Sequence, residues 1–146
     1  MLRFMRKLNN ISRMQSVYRT EKLTSEGICA AHHAFIHVIC RFPGYSQEEI
    51  SREICLNKST VARVINHLEK NGYVKREPDK EDKRKFLVFP TEKMLKILPQ
   101  VRRISAEWND LISKDIPDEE MEIFHSVLSK IEQNAKQVIG NGANKG

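Results

Sequence analysis

Ser59, Thr60 and Arg63 fall within five residues of one another, at offsets of three and four that bring them onto one side of an α-helix. An arginine so placed can donate two parallel hydrogen bonds to a guanine edge, and the hydroxyls suit base edges or phosphate oxygens. Asn66 continues the same polar side one turn later. Asn57 and Lys58 open this helix and Gln47 opens the one before it. Their side chains, with free backbone amides and helix dipoles, are expected to hold phosphates without reading sequence. Further along, Arg84 lies in a charged loop with Lys80, Asp82, Lys83 and Lys85. An arginine on an extended loop suits a narrow minor groove, where A·T-rich stretches concentrate negative potential. The chemistry implied is non-covalent reading of duplex DNA. No nucleophile elbow, phosphate loop, metalloprotease motif or carboxylate pair stands at a recognisable spacing, so neither an enzyme nor a cofactor is expected.

These groups act together only if two helices and a hairpin carry them. Ser46 and Glu49 match the capping box S-x-x-E, which starts a short helix that buries Ile50 and Ile54. Cys55-Leu56 forms the turn. Asn57 is an N-cap and Gly72 a C′ residue, so the next helix is bounded at both ends, with Val61, Val64, Ile65 and Leu68 on its apolar side. Tyr73 to Glu77 and Lys85 to Phe89 are strand-length runs around the charged loop, which makes the hairpin a wing. Upstream, Ala31, Phe35, Val38, Ile39 and Phe42 line a helix that Pro43-Gly44 stops.

Two further amphipathic segments flank this head. Leu8, Ile11, Met14 and Tyr18 recur at helical spacing over residues 4 to 21, followed by a connector from Thr20 to Gly27. Thr91 caps a long helix expected to reach Lys114. After Pro117, Met121, Phe124, Leu128, Ile131, Ala135 and Val138 alternate steps of three and four, the period of a helix that packs against partner helices. The two stripes need covering, so two copies are expected to intertwine through these outer helices as a homodimer. The expected organisation is an N-terminal dimerisation helix and connector (1–27), a winged helix-turn-helix (28–98), C-terminal dimerisation helices (99–139) and a disordered tail (140–146). The fold class is mainly α with a small β-hairpin wing.

Composition agrees with these expectations. At 146 residues and 40% hydrophobic, the chain fits one globular domain, or a small domain with a dimerisation arm. The net charge of +6 is unevenly spread. Residues 1–22 hold six Lys/Arg against one acid and residues 46–90 ten against eight, whereas residues 91–146 hold eight against nine. A polyanion suits that asymmetry. No apolar run is long enough for a membrane helix and no secretion signal opens the chain, so no membrane partner and a cytoplasmic location are expected. Cys29, Cys40 and Cys55 have no CxxC spacing and read as thiols.

Taken together, Phe42-Pro43-Gly44, Ser46-Gln47-x-Glu49-Ile50, Asn57-Lys58-Ser59-Thr60-Val61-x-Arg63, His67-Leu68-Glu69-Lys70-Asn71-Gly72-Tyr73-Val74, Asp79-x-x-Asp82-x-Arg84 and Thr91-Glu92-Lys93 resemble the MarR family of winged-helix transcription regulators over residues 28 to 98. The chain departs from that pattern at Cys55 and Met94, where glycine is usual, and at Cys29, where threonine often stands. The resemblance implies a repressor that binds double-stranded DNA as a homodimer on a near-palindromic operator. In it Asp82 orients the Arg84 guanidinium, and a small aromatic or phenolic effector releases the DNA. No motif residue identifies an effector pocket. Three alternatives follow from other features. A winged helix can bind protein instead of DNA, and steep salt dependence distinguishes the two. His33 and His37, four apart beside His32 and Cys29, have a spacing that can chelate a metal. Cys29 at a helix start could answer to oxidants.

Overall fold

The helix-turn-helix forms where local chemistry closes each end. The computed structural model describes residues 3–23 and 25–143. In α3 (Gln47–Ile54) the Ser46 Oγ accepts from the Glu49 amide at 3.2 Å, while Glu49 Oε2 accepts from the Ser46 amide at 2.9 Å. This reciprocal cap satisfies two amides that have no partner inside the helix. Cys55 ends α3 in the left-handed region at φ 60°, the conformation that explains why glycine suits this turn. Asn57 then caps α4 (Lys58–Lys70), and Gly72 follows at φ 80°.

The wing is β2 (Val74–Pro78) and β3 (Phe86–Pro90), paired antiparallel with Val74 opposite Pro90 and Pro78 opposite Phe86. Both strands lie one residue later than the sequence pattern suggests. A third strand, β1 (Tyr45–Ser46), adds to the other edge of β3 and gives the order β1-β3-β2. With two residues it carries no periodic signal, so sequence reading missed it.

The remaining helices are α1 (Phe4–Lys22), α2 (His33–Arg41) after a 3₁₀ turn at Ala30–His32, α5 (Glu92–Ile112) and α6 (Asp118–Ala143). Six α-helices and a three-stranded sheet thus make up the described residues. Thr91 opens α5 as expected: its Oγ donates to the Gly72 carbonyl at 2.6 Å and accepts from the Met94 amide at 3.4 Å. The helix ends two residues short of Lys114. It also runs through Pro99, which lacks an amide to bond the preceding turn. At the C-terminus the expected tail needs correction. α6 continues to Ala143, because no proline interrupts it and propagating a helix costs little once it has begun. Residues 144–146 lie outside the described residues.

The chain divides into two compact units, Met1–Trp108 and Asn109–Gly146, a boundary different from the expected one at 98/99. All of the buried core belongs to the first, where Phe35, Ile36 and Ile39 of α2, Ile50 of α3, Val61, Ile65 and Leu68 of α4 and Val88 of β3 meet Met94, Leu98 and Val101 of α5. The α1–α2 connector is fastened to this head from three sides. His67 Nε2 lies 2.8 Å from the Gly27 carbonyl, the Tyr73 hydroxyl donates to the Glu26 carbonyl, and the Asn71 side chain lies over Gly27. Gly27 has φ +77°, and a Cβ there would sit 2.7 Å from Asn71 Oδ1. Gly27→Ala is therefore expected to lower the unfolding free energy by about 1 kcal/mol, read as an earlier urea midpoint.

Candidate nucleic-acid interface

At the start of α4 the side chains are ordered by one another. Asn57 Oδ1 accepts from the Thr60 amide at 2.8 Å and from Ser59 Oγ at 2.9 Å. That oxygen is saturated, so Asn57 retains its NH₂ as a donor. The Ser59 hydroxyl has committed its proton to Asn57, and towards a base edge it acts as an acceptor. Thr60 is half-buried; Arg63 and Asn66 are exposed, and neither has a hydrogen-bond or ion-pair partner among the described residues. A planar cation held out from a rigid helix is suited to bidentate recognition. Lys58 is exposed, with Nζ 3.8 Å from Glu48 Oε1. Glu48 also accepts from Arg52 at 2.8 Å, and that hydrogen bond, followed by the charge of Lys58, holds its carboxyl below the usual range. This acid was not anticipated beside residues expected to hold phosphate, and a phosphate would compete with it for Lys58.

In the wing, residues 79–85 are closed by hydrogen bonds from the Asp79 amide to the Lys85 carbonyl and from the Lys85 amide to the Asp82 carbonyl, both at 2.9 Å. Asp82 Oδ1 accepts from the Arg84 amide at 3.1 Å and from Arg84 Nε at 3.2 Å. The backbone bond first, and the guanidinium second, hold the Asp82 carboxyl below its usual range. Arg84 is aimed by this carboxylate while its side chain stays 91% exposed. Lys80 and Lys83 are exposed beside it and have no polar partner among the described residues. If Asp82 orients Arg84, Asp82→Asn weakens DNA binding several-fold although it removes a negative charge. Equal or tighter binding in a titration would show a loop that is merely solvated.

Gln47 is half-buried, and its Oε1 accepts from Arg76 Nη1 at 3.1 Å. Arg76 also grips Glu69, Nε to Oε2 at 3.2 Å and Nη2 to Oε1 at 2.8 Å. This pair holds the Glu69 carboxyl below its usual range and raises the Arg76 guanidinium. Arg76, Gln47, Arg84, Lys85 and Phe86 line an open cleft of about 270 Å³. Sequence reading missed Arg76 and Glu69. They lie seven residues apart across a turn and belong to no periodic pattern.

A second cluster of polar groups is drawn from α1, α2 and α5. His33 is fully buried, and neither ring nitrogen has a hydrogen-bond partner; the half-buried Arg19 has a buried Nε in the same condition, among the described residues. Burial, then the positive charge of Arg19, then His37 and His32, push His33 down to about 4. His37 Nε2 meets Ser105 Oγ at 3.2 Å, with Arg19 and Arg102 near enough to lower its pKa after burial has done so. His32 accepts from the Cys29 amide through Nδ1, and its ring lies 5.0 Å from that of His67, tilted by 37°. No group of three or more His, Cys, Asp or Glu is placed to hold a metal ion among the described residues. Cys29 and Cys55 are exposed; Cys40 is half-buried against the core, and burial raises its thiol pKa.

Of the flanking stripes, Ile11 and Met14 on α1 are exposed and Leu8 is half-buried. Tyr18 is half-buried, its ring 5.3 Å from that of Trp108. On α6, Met121, Leu128 and Ile131 are half-buried, whereas Phe124, Ala135 and Val138 are exposed. Ile123, Val127 and Ile139 are exposed as well. No described residue from 118 to 140 is buried. No helix among the described residues is long and apolar enough to cross a membrane.

Comparison with known proteins places this geometry among relatives. The MarR family model matches residues 31–86. The uncharacterized HTH-type transcriptional regulator YybA of Bacillus subtilis is 30% identical over 95 residues, 65% of this chain and 63% of YybA, so the match spans less than two thirds of that relative. The HTH-type transcriptional regulator BilQ of Clostridium symbiosum is 25% identical over 116 residues, 80% of this chain and 81% of BilQ. A MarR transcriptional regulator from Methanosarcina mazei Go1 superposes with a TM-score of 0.85 at 27% identity, covering 92% of this chain and 97% of that one. A MarR family regulator from Listeria monocytogenes, complexed with 26mer DNA, gives 0.86 at 25% identity over 92% and 89% of the two chains.

Proposed function

We propose that the chain, which the MarR family model matches over residues 31–86, is a member of that family and a sequence-specific repressor, binding double-stranded DNA as a homodimer and released by a small-molecule effector. The observation that carries the reading is the pairing of two presentations. Arg63 and Asn66 stand without a partner among the described residues on a helix capped at both ends, and Arg84 stands out from a wing in which Asp82 accepts from its Nε. A helix suits the major groove and an extended basic loop the adjoining minor groove. The 26mer DNA in the Listeria complex supports a duplex as the partner.

The two-copy reading is supported by α6, which buries no described side chain from 118 to 140 and still exposes Phe124, Val127 and Val138. Helices in proteins draw most of their stability from packing an amphipathic face against a partner. A two-fold dimer sets its reading helices about 34 Å apart and calls for a near-palindromic operator. The effector reading rests on Arg19, His33, His37 and Arg102. They gather positive or unpaired polar groups with no acid paired to them among the described residues. An aromatic or phenolic anion would supply both the missing acceptor and apolar contact. Action in the cytoplasm accords with this role.

Selection from a random duplex pool, with and without candidate aromatic acids, tests the reading. The expected result is one enriched inverted repeat, bound with affinity that falls steeply as salt rises and weakened by the acid. Equal retention of all duplexes at low salt would overturn it.

A further inference from the structure

Arg76 spans the whole reading head. From β2, where it pairs across the ladder with Val88, its guanidinium reaches Glu69 in α4 through two nitrogens and Gln47 in α3 through the third. Its Cζ lies 5.8 Å from the centre of the Phe86 ring on β3. Four elements therefore meet on one planar group. Three of the five N–H donors are committed, the charge is matched by a bidentate carboxylate, and the side chain is 25% exposed against 91% for Arg84.

A cation so occupied is poorly placed to grip a phosphate and well placed to set an angle. Resting on the DNA-reading function above, we propose that Arg76 is a positioning residue: it locks the wing against α3 and α4 at the inclination that lets Arg84 reach the minor groove while Arg63 occupies the major groove. Gln47, expected to hold phosphate, then serves first as the α3 anchor of this joint. Lysine cannot take over the role, because a point charge with no planar fork cannot serve the carboxylate and the amide at fixed directions.

The test is a double-mutant cycle on a duplex selected by the unaltered protein, with thermal midpoints measured alongside. Arg84→Ala is expected to weaken binding about tenfold. Arg76→Gln should weaken it by a similar factor, and the Arg76→Gln/Arg84→Ala double variant no further than Arg84→Ala alone. The decisive variant is Glu69→Gln. It leaves Arg76 in place with its charge unmatched, so a direct phosphate contact predicts tighter binding and a positioning role predicts weaker binding that again vanishes in the Arg84→Ala background. Arg76→Lys should fail to restore affinity, and Arg63→Ala should cost the same factor with or without Arg76. Tighter binding by Glu69→Gln, or multiplying losses for Arg76 and Arg84, would overturn the proposal and leave the DNA-reading function standing. If Arg76→Gln fails to fold, Glu69→Gln and Gln47→Ala carry the same cycle. Failure of the unaltered protein to bind any duplex would remove the function itself, and this proposal with it.

Discussion

Replacing Arg63 by alanine is expected to cost about 1–3 kcal/mol on the best operator and to relax the preference at one base pair in each half-site. The geometry makes the direction firm. Arg63 is nearly two turns beyond the Asn57 cap, exposed, and unengaged by any acid among the described residues. Its fork therefore enters a complex without first breaking an ion pair, unlike Lys58 beside Glu48. Removing a bidentate donor also leaves the guanine acceptors without a protein partner, which is why the loss should be confined to one position of the site. Lys80→Ala or Lys83→Ala, by contrast, should weaken all duplexes alike and lower the salt slope. Binding-site selection with the alanine variant reads both the affinity and the preference. An unchanged preference would take Arg63 out of the major groove.

Acid is expected to destabilise the protein by about 2–3 kcal/mol through His33 alone when the pH falls from 7 to 4.5. The folded state holds this imidazole neutral, pushed down to about 4 by burial and by Arg19, His37 and His32. In the unfolded chain it titrates near its ordinary 6.5. Between those values the unfolded state binds the proton and the folded state does not. Stability is thus unaffected by His33 above pH 6.5, falls as the pH drops through the window, and levels off below 4. Urea unfolding of the unaltered protein and of His33→Met at both pH values, at one protein concentration because an oligomer's stability depends on it, isolates the effect. The variant should lose about 2–3 kcal/mol less than the parent. Equal losses would mean that the ring gains its proton without cost in the folded protein, and the cluster with Arg19 would then be wrongly drawn.

Much of the reading head was legible because helix ends are written locally. Ser46 with Glu49, Asn57, and Gly72 each satisfy or release a backbone group within four residues, so their meaning survives without knowledge of the rest of the chain. Cys55 was recognisable as a residue in a glycine place, and it adopts φ 60°. The hairpin and its charged loop followed from two apolar runs around a hydrophilic stretch, with a one-residue error at each strand. The α6 stripe was visible as a period, but Ile123, Val127 and Ile139 were not picked out from the apolar residues beside it. A seven-residue repeat identifies a face and leaves its edges open.

Other features depended on packing. His33 and His37 looked like a chelating pair because spacing records proximity along one helix, whereas burial and neighbours from α1 and α5 decide what an imidazole does. His67 of α4 is held at Gly27 and against His32, contacts that no spacing along one helix records.

The order of residues alone thus settled where each helix of the head begins and stops and which side chains its polar side offers, since caps and periodicity act over a turn or two of chain. Only the tertiary structure decided which of those groups remain free. Hydrogen bonds and ion pairs between elements distant in sequence, Arg76 to Glu69 and Gln47 above all, arise from how elements are oriented and packed, and that orientation is set by a core to which no single segment holds the key.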